Sequence, residues 1–399
     1  MKVGFEACVA EQGFNRAAEN QPVADFGKVP PLTDALHNGS VRLRLTTGSA
    51  LGLFMTGAIG AAVGAVIPQW QAEFGVSREL AWYFNLFFVG ALLGIFLSSR
   101  MRTRHPWLTL ALVAEGLGLL LIAITPQVGG VFLAASLLGL GVAVVNFHCN
   151  ALPLELYPKG QMAMLNRINA AFGVGAVLAP LLMVWLPWRW SYGVLAGVAL
   201  VAALLLWRAP APPARSFAPS QRPSKLLPYV LLAVVAYVAV ELVVSSFSGL
   251  YLRYLGYDAR WVGVLLSLYW VALALGRWLL ADFIAARPLA RLAWLHLGAA
   301  MVALCYFVPW AAWLFPLVGF FVAPTFPTLY SYTQRHIGYA GLAFIFYAAA
   351  VGGNLVPAAF ALAPKESLAL GMLLVVGGMA GMTYLLWRNS EAQSAALRS

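Results

Sequence analysis

Tyr237, Glu241, Ser245 and Ser248 interrupt an otherwise apolar run at spacings of i, i+4, i+8 and i+11. On a helix that spacing puts all four on one face. The stripe combines hydroxyls, which donate and accept hydrogen bonds, with one group able to take up or release a proton. An acid at a helix centre in lipid costs roughly 2.5–3.5 kcal/mol, so Glu241 is expected to face a cavity or a partner. Its chemistry then allows three roles: binding a substrate, carrying a proton, or bridging two helices as a protonated carboxyl. Glu115 is the other acid deep within an apolar run. It is a second proton-coupling candidate, with a hydrogen-bonded packing carboxyl as the alternative.

Asn146 and Asn150, four residues apart, stack on one helical face, while His148 points elsewhere. Each amide offers two donors and an acceptor, a set suited to vicinal hydroxyls. Asn166 and Asn169 lie near a helix end and are expected to bond between helices. Trp270 could stack on a sugar ring, and Asn354 is a further polar position inside an apolar run. The candidate substrate-binding set is therefore Asn146, Asn150, Glu241, Ser245, Trp270 and Asn354. A catalytic set is not in evidence, because the sequence holds no His-Glu-x-x-His motif and no Gly-x-Ser-x-Gly elbow. No cofactor or metal site is expected, since His148, His296 and His336 are not at ligand spacing and Cys8, Cys149 and Cys305 are far apart.

These residues need elements to hold them, and the composition defines which. Of 399 residues, 62% are hydrophobic and 10% charged, and the mean hydropathy is +0.81. A soluble domain carries about 25% charged residues. The apolar total, about 247 residues, matches the ~240 that twelve spans of ~20 residues need. In hydrocarbon only helices satisfy the backbone of such runs. The expected fold is an all-α membrane protein with spans near 46–69, 81–99, 107–125, 129–152, 162–186, 190–207, 226–252, 261–281, 289–307, 311–333, 339–361 and 367–387.

Charge then gives the orientation. Of 25 Lys and Arg, only Arg78, Arg189, Arg253, Arg260 and Lys365 fall in loops after odd-numbered spans. The net charge of +11 thus reads as membrane topology and not as a nucleic-acid surface, with both termini cytoplasmic. The chain divides into a mobile polar tail (1–45), a six-helix bundle (46–208), a Pro-rich basic linker (209–225), a second bundle (226–388) and a cytoplasmic tail (389–399). Both bundles have 163 residues, and Gly75/Gly94 and Gly175/Pro180 in the first are echoed by Gly256/Gly276 and Gly352/Pro357 in the second. At the cytoplasmic ends, Arg100, Arg102, Glu155, Arg277 and Asp282 form a candidate gate whose opposite charges pair in one state and separate in another. Topology alone would also account for the arginines.

Twelve spans split six and six by a basic loop resemble the major facilitator superfamily. The segment from Asn146 through Asn150 to Glu155, then Asn166 and Asn169 with Phe172-Gly173 and Gly175 to Pro180, resembles spans 4 and 5 of the fucose:galactose:proton symporter group. Glu241 with Tyr251, Tyr269-Trp270 to Gly276-Arg277, Pro324-Thr-Phe-Pro327, and Gly352-Gly353 to Pro357 are similar to that group as well. The group places carboxylates in spans 1 and 4. Here span 1 has no acid, and the span 4 position is Asn146.

The expected function is secondary active transport by alternating access of a small polar organic solute such as a monosaccharide, with a co-transported proton or sodium ion. The alternatives are facilitative or efflux transport of drugs or metabolites, and a sensor that keeps the transporter shape. The expected setting is the bacterial inner membrane, multi-pass, as a monomer in the lipid bilayer, without nucleic acid.

Overall fold

The computed structural model describes residue 32 and residues 38–76, 78–212, 225–336, 339–361 and 363–396. Among these residues the regular structure is helical throughout. The first half holds α1 (Gly39–Phe74), α2 (Ala81–Ser98), α3 (Trp107–Ile124), α4 (Val128–Leu156), α5 (Gln161–Trp185) and α6 (Trp188–Leu205). The second holds α7 (Leu227–Tyr254), α8 (Ala259–Leu279), a short α9 (Ala281–Ala286), α10 (Pro288–Ala303), α11 (Pro316–Val322), α12 (Thr325–His336), α13 (Tyr339–Ala361) and α14 (Leu368–Ala396). With α9 lying between passes and α11 and α12 sharing one, these make the twelve passes read from the sequence. Nine helices among the described residues are long and apolar enough to cross a membrane unaided.

Three boundaries differ from the sequence expectation. The first helix begins at Gly39, within the stretch expected to be a tail, because the Asn38 side chain accepts hydrogen bonds from the Ser40 and Val41 amides and caps it. Its opening turns carry Arg42 and Arg44, so hydropathy alone starts the span too late. The tenth pass, expected as one run over 311–333, is broken. Short 3₁₀ turns at Pro309–Leu314 lead into α11, and Pro324 separates α11 from α12. The last helix continues to Ala396, past the expected start of the tail at 389.

The two halves repeat one pairing pattern. In the first, α2 packs on α4, α1 on α5 and α3 on α6; in the second, α8 packs on α11, α7 on α13 and α10 on α14. Equivalent glycines permit equivalent crossings. A Cβ on Gly94 would lie 2.6 Å from the carbonyl oxygen of Leu140, and one on Gly276 would lie 2.5 Å from that of Phe320. A Cβ on Gly175 would meet the Phe54 carbonyl oxygen at 2.1 Å, and one on Gly352 the Val235 carbonyl oxygen at 2.3 Å. Small residues at these positions let backbones approach where lipid supplies no hydrophobic drive between helices.

The start of α1 lies beside the end of α6, where Arg44 Nη1 donates to the Trp207 carbonyl. We call this the basal end and its opposite the apical end. Three of the apolar core clusters each draw on a single half. The fourth joins Phe147, Leu154 and Leu165 of the first half to Val230, Tyr330 and Phe346 of the second. All six sit toward the basal end of their helices, so the halves are packed shut there.

Candidate functional site

A chain of hydrogen bonds crosses the seam between the halves just inside this basal closure. It begins on α4, where Asn150 Nδ2 donates to Asn146 Oδ1 at 2.7 Å. On α5, Asn169 Nδ2 donates to Asn150 Oδ1 at 2.8 Å. The backbone carbonyl of Asn169 then accepts from Arg277 Nη1 of α8 at 3.1 Å. Arg277 Nη2 donates to the Tyr237 hydroxyl of α7 at 2.9 Å, and its Nε donates to the Ala323 carbonyl at 3.1 Å. The Tyr237 hydroxyl is in turn within hydrogen-bonding reach of the Glu241 carboxyl one turn along α7.

The residue types explain why this assembly holds. Arginine is a donor only, and its planar fork meets three acceptors from three helices or their ends. The Tyr237 oxygen accepts from Arg277, so its own proton is available for Glu241. Arg277 is 3% exposed and Glu241 7%, and they lie within Coulombic range of one another. Each thus offsets the other's desolvation, which neither could do alone in lipid.

Aromatic rings line the seam. Arg277 lies over the Phe172 ring, 5.1 Å from its centroid, and Phe172 is 6.2 Å from the half-buried Trp270. Next to them, a Cβ on Gly173 would lie 2.8 Å from Ala274 Cβ, so α5 and α8 touch through their backbones. Asn146 is half-buried, and its amide nitrogen has no hydrogen-bond partner among the described residues.

The structure therefore gathers Asn146, Asn150, Glu241 and Trp270 along one seam, and adds Asn169, Phe172, Tyr237 and Arg277. Ser245 is half-buried and its hydroxyl turns back to the Leu242 carbonyl. Ser248 leaves the polar stripe for the second half's core, 2.5 Å from the Tyr306 hydroxyl. Asn354 lies on α13 with its side chain outside the described part of the structure. Glu115 is fully buried on α3, away from the seam, with both carboxyl oxygens unpartnered among the described residues. It stands against Gly141 of α4, where a Cβ would meet Glu115 Cγ at 2.7 Å.

The expected gate is rearranged. Arg277 does not join Asp282: helical side chains lean toward the N-terminus of their helix, and this one reaches back into the seam. Asp282 instead pairs with Arg167 of α5, an ion pair that does join the halves. Glu155 pairs within its own half, accepting from Arg104 Nη1 at 2.8 Å and Nη2 at 2.6 Å. Arg104 also donates to the Pro210 carbonyl, tying the start of the linker to this point. Arg100 lies over its neighbour Phe96, 3.6 Å from the ring centroid, and Arg102 is exposed; among the described residues neither has an acidic partner. Two basal contacts escaped the sequence reading. Arg335 Nε donates to Gln161 Oε1 at 2.9 Å, and the Tyr330 hydroxyl donates to the Phe147 carbonyl at 3.0 Å.

A bundle of paired six-pass halves around a polar seam is the architecture of a multi-pass membrane protein. The Major Facilitator Superfamily profile matches residues 49–361, and the chain belongs to that superfamily. No curated protein matches it by sequence. Among solved structures it is similar to the superfamily transporter FucP in the outward conformation, with a TM-score of 0.71 and 17% identity over 86% of this chain and 98% of that one. It is similar to the proton:xylose symporter XylE bound to 6-bromo-6-deoxy-D-glucose, with a TM-score of 0.71 and 15% identity over 88% of this chain and 96% of that one. A third likeness is to the human organic anion transporter MFSD10, with a TM-score of 0.59 and 16% identity over 88% and 99%.

Proposed function

We propose that this protein is a secondary active transporter that moves a small hydroxyl-bearing solute, of the monosaccharide class, together with a proton. The observation that carries this reading is the hydrogen-bond chain from Asn146 to Glu241 across the seam. Its first-half end presents an amide with free donors, its middle carries Phe172 and Trp270 as stacking surfaces, and its second-half end is an ionisable carboxyl. Hydroxyls, a sugar ring face and a proton are the ligands that suit those three groups. The fold likeness to a fucose:proton symporter and a proton:xylose symporter supports the same class.

Coupling follows from the bonding order. While Glu241 is ionised it holds the Tyr237 hydroxyl and the field around Arg277, and Arg277 holds the Asn169 carbonyl of the opposite half. A proton on Glu241 removes the charge that seats Arg277, so the basal closure loosens. That gives the two states different contacts, as any switching mechanism requires. Residues 46–208 and 226–388 act as the two moving bodies, with 209–225 as their tether.

We place the basal end in the cytoplasm, because Arg42, Arg44, Arg100, Arg102 and Arg104 cluster there, and we assign the protein to a bacterial inner membrane. The closed basal end fits an outward-facing state, the conformation of the similar FucP structure. The test is uptake of a panel of hexoses into proteoliposomes with and without an imposed proton or sodium gradient. Proton-driven accumulation of one sugar supports the proposal. Flux of drugs alone, or sugar flux indifferent to either gradient, refutes it.

A further inference from the structure

Two cavities adjoin on α10 and α14 of the second half, the basal one reaching Met162 of α5 in the first. The first is an apolar groove of about 420 Å³ between α10 and α14, with Trp294 and Tyr384 as its walls and Gly377, Ala380 and Gly381 on its α14 side. A Cβ on Gly377 or Gly381 would touch nothing within 4 Å, so the groove is open space alongside the helix. The second cavity, of about 380 Å³, lies at the basal end of the same helices and is bordered by Arg287, Arg335, His336 and Glu391. Trp387 borders both. Each falls in the ~300–1,000 Å³ range of ligand pockets.

The basal cavity has unused donors. Arg287 is exposed, and its side chain has no hydrogen-bond or ion-pair partner among the described residues. Arg335 uses its Nε on Gln161, leaving both terminal nitrogens for another acceptor. The His336 ring stacks on Tyr332 with centroids 4.1 Å apart, and its Nδ1 donates to the Tyr332 carbonyl. Glu391 is the one acid on the border, and Arg388 approaches it at 4.0 Å. The result is a positively charged cup at the basal end, with Trp387 as the wall it shares with the apolar groove.

We propose that the two cavities form a single site for an anionic phospholipid, with its phosphate between Arg287 and Arg335 and an acyl chain along the α10–α14 groove. Charge selects the headgroup, and the apolar groove on the other side of Trp387 selects a lipid over a free anion. The proposal is independent of which solute is carried.

Native mass spectrometry of the full-length protein in detergent tests it, using phosphatidylglycerol, phosphatidylcholine of the same chain length, and inorganic phosphate as probes. The expected result is phosphatidylglycerol retained about thirtyfold over phosphatidylcholine, the scale of two interfacial arginines at about 1 kcal/mol each. R287A/R335A should bring retention down to the phosphatidylcholine level. Gly381→Leu, which fills the groove, should reduce retention of both lipids. Glu391→Gln, which leaves the arginines in place, should raise phosphatidylglycerol retention and supplies a readout should the double variant not fold. Equal retention of the two lipids by the unaltered protein would overturn the proposal, as would retention unchanged in R287A/R335A or by E391Q. Phosphate binding without lipid selectivity would overturn it too, by marking a free-anion site.

Discussion

Arg277 of α8 donates to the backbone carbonyl of Asn169 on α5 at 3.1 Å, a charged hydrogen bond from one half of the molecule to the other. It acts on backbone, so its strength depends on where Arg277 sits. That position is set by Tyr237 and Ala323, and the Glu241 carboxyl reaches the same Tyr237 hydroxyl. On the coupling proposed above, this contact across the seam answers to the proton on Glu241.

Arg277→Lys keeps the charge but not the fork, and an ammonium on a flexible stem cannot meet three acceptors in one plane. Hydrogen bonds to charged groups are worth about 1.5–3 kcal/mol each. The expected outcome is a protein that inserts into the membrane, melts several degrees lower and transports at a small fraction of the normal rate. Thermal unfolding and initial uptake rates measure both.

Gly173→Val places a branched side chain where even a Cβ would lie 2.8 Å from Ala274. The α5–α8 crossing must widen, at a cost of about 1–3 kcal/mol. A cysteine introduced at Met162, buried in the shared basal core, should react with an impermeant maleimide faster in the Gly173→Val background. Equal reactivity would mean the seam does not depend on this approach.

The Arg104–Glu155 pair is buried, with side-chain exposures of 0% and 4%. Removing one partner of a buried pair costs about 3–5 kcal/mol, whereas replacing both with apolar residues is often neutral. Glu155→Gln should therefore destabilise markedly, and Arg104→Met with Glu155→Leu should recover much of the loss. A double-mutant cycle by thermal unfolding in detergent gives the coupling.

Glu115 lies off the seam with no partner for either oxygen among the described residues, and we assign it a packing role. Glu115→Gln should leave gradient-driven uptake within about twofold and shift stability by no more than the ~1–3 kcal/mol of one buried polar group. Loss of coupling in this variant would move the proton site to α3.

Much of this was legible in the sequence, for identifiable reasons. Glu241, Asn146 and Asn150 stand out because a carboxyl or amide within an apolar run must have a partner, whatever the fold. The repeat showed through its glycines, since close crossings tolerate little else. Arg277 was misplaced because hydropathy locates a charge by its Cα, while the side chain extends most of a helical turn back from it. Tyr237 was legible as one turn from Glu241 on the same helical face, but nothing in its spacing announced Arg277 as its partner, and Phe172 was one of 23 Phe with no spacing that singled out its ring. The Arg167–Asp282 pair joins residues of opposite halves, and no periodicity within either half encodes that register. Pro324 did announce the break between α11 and α12, but the apolar residues around it masked the signal.

The central claim is that Glu241 couples a proton to the seam. Proteoliposomes carrying Glu241→Gln test it directly when sugar counterflow and proton-driven accumulation are measured side by side. The account predicts counterflow near the normal rate with accumulation abolished. Accumulation that persists in Glu241→Gln, at the gradient dependence of the unaltered protein, would contradict it.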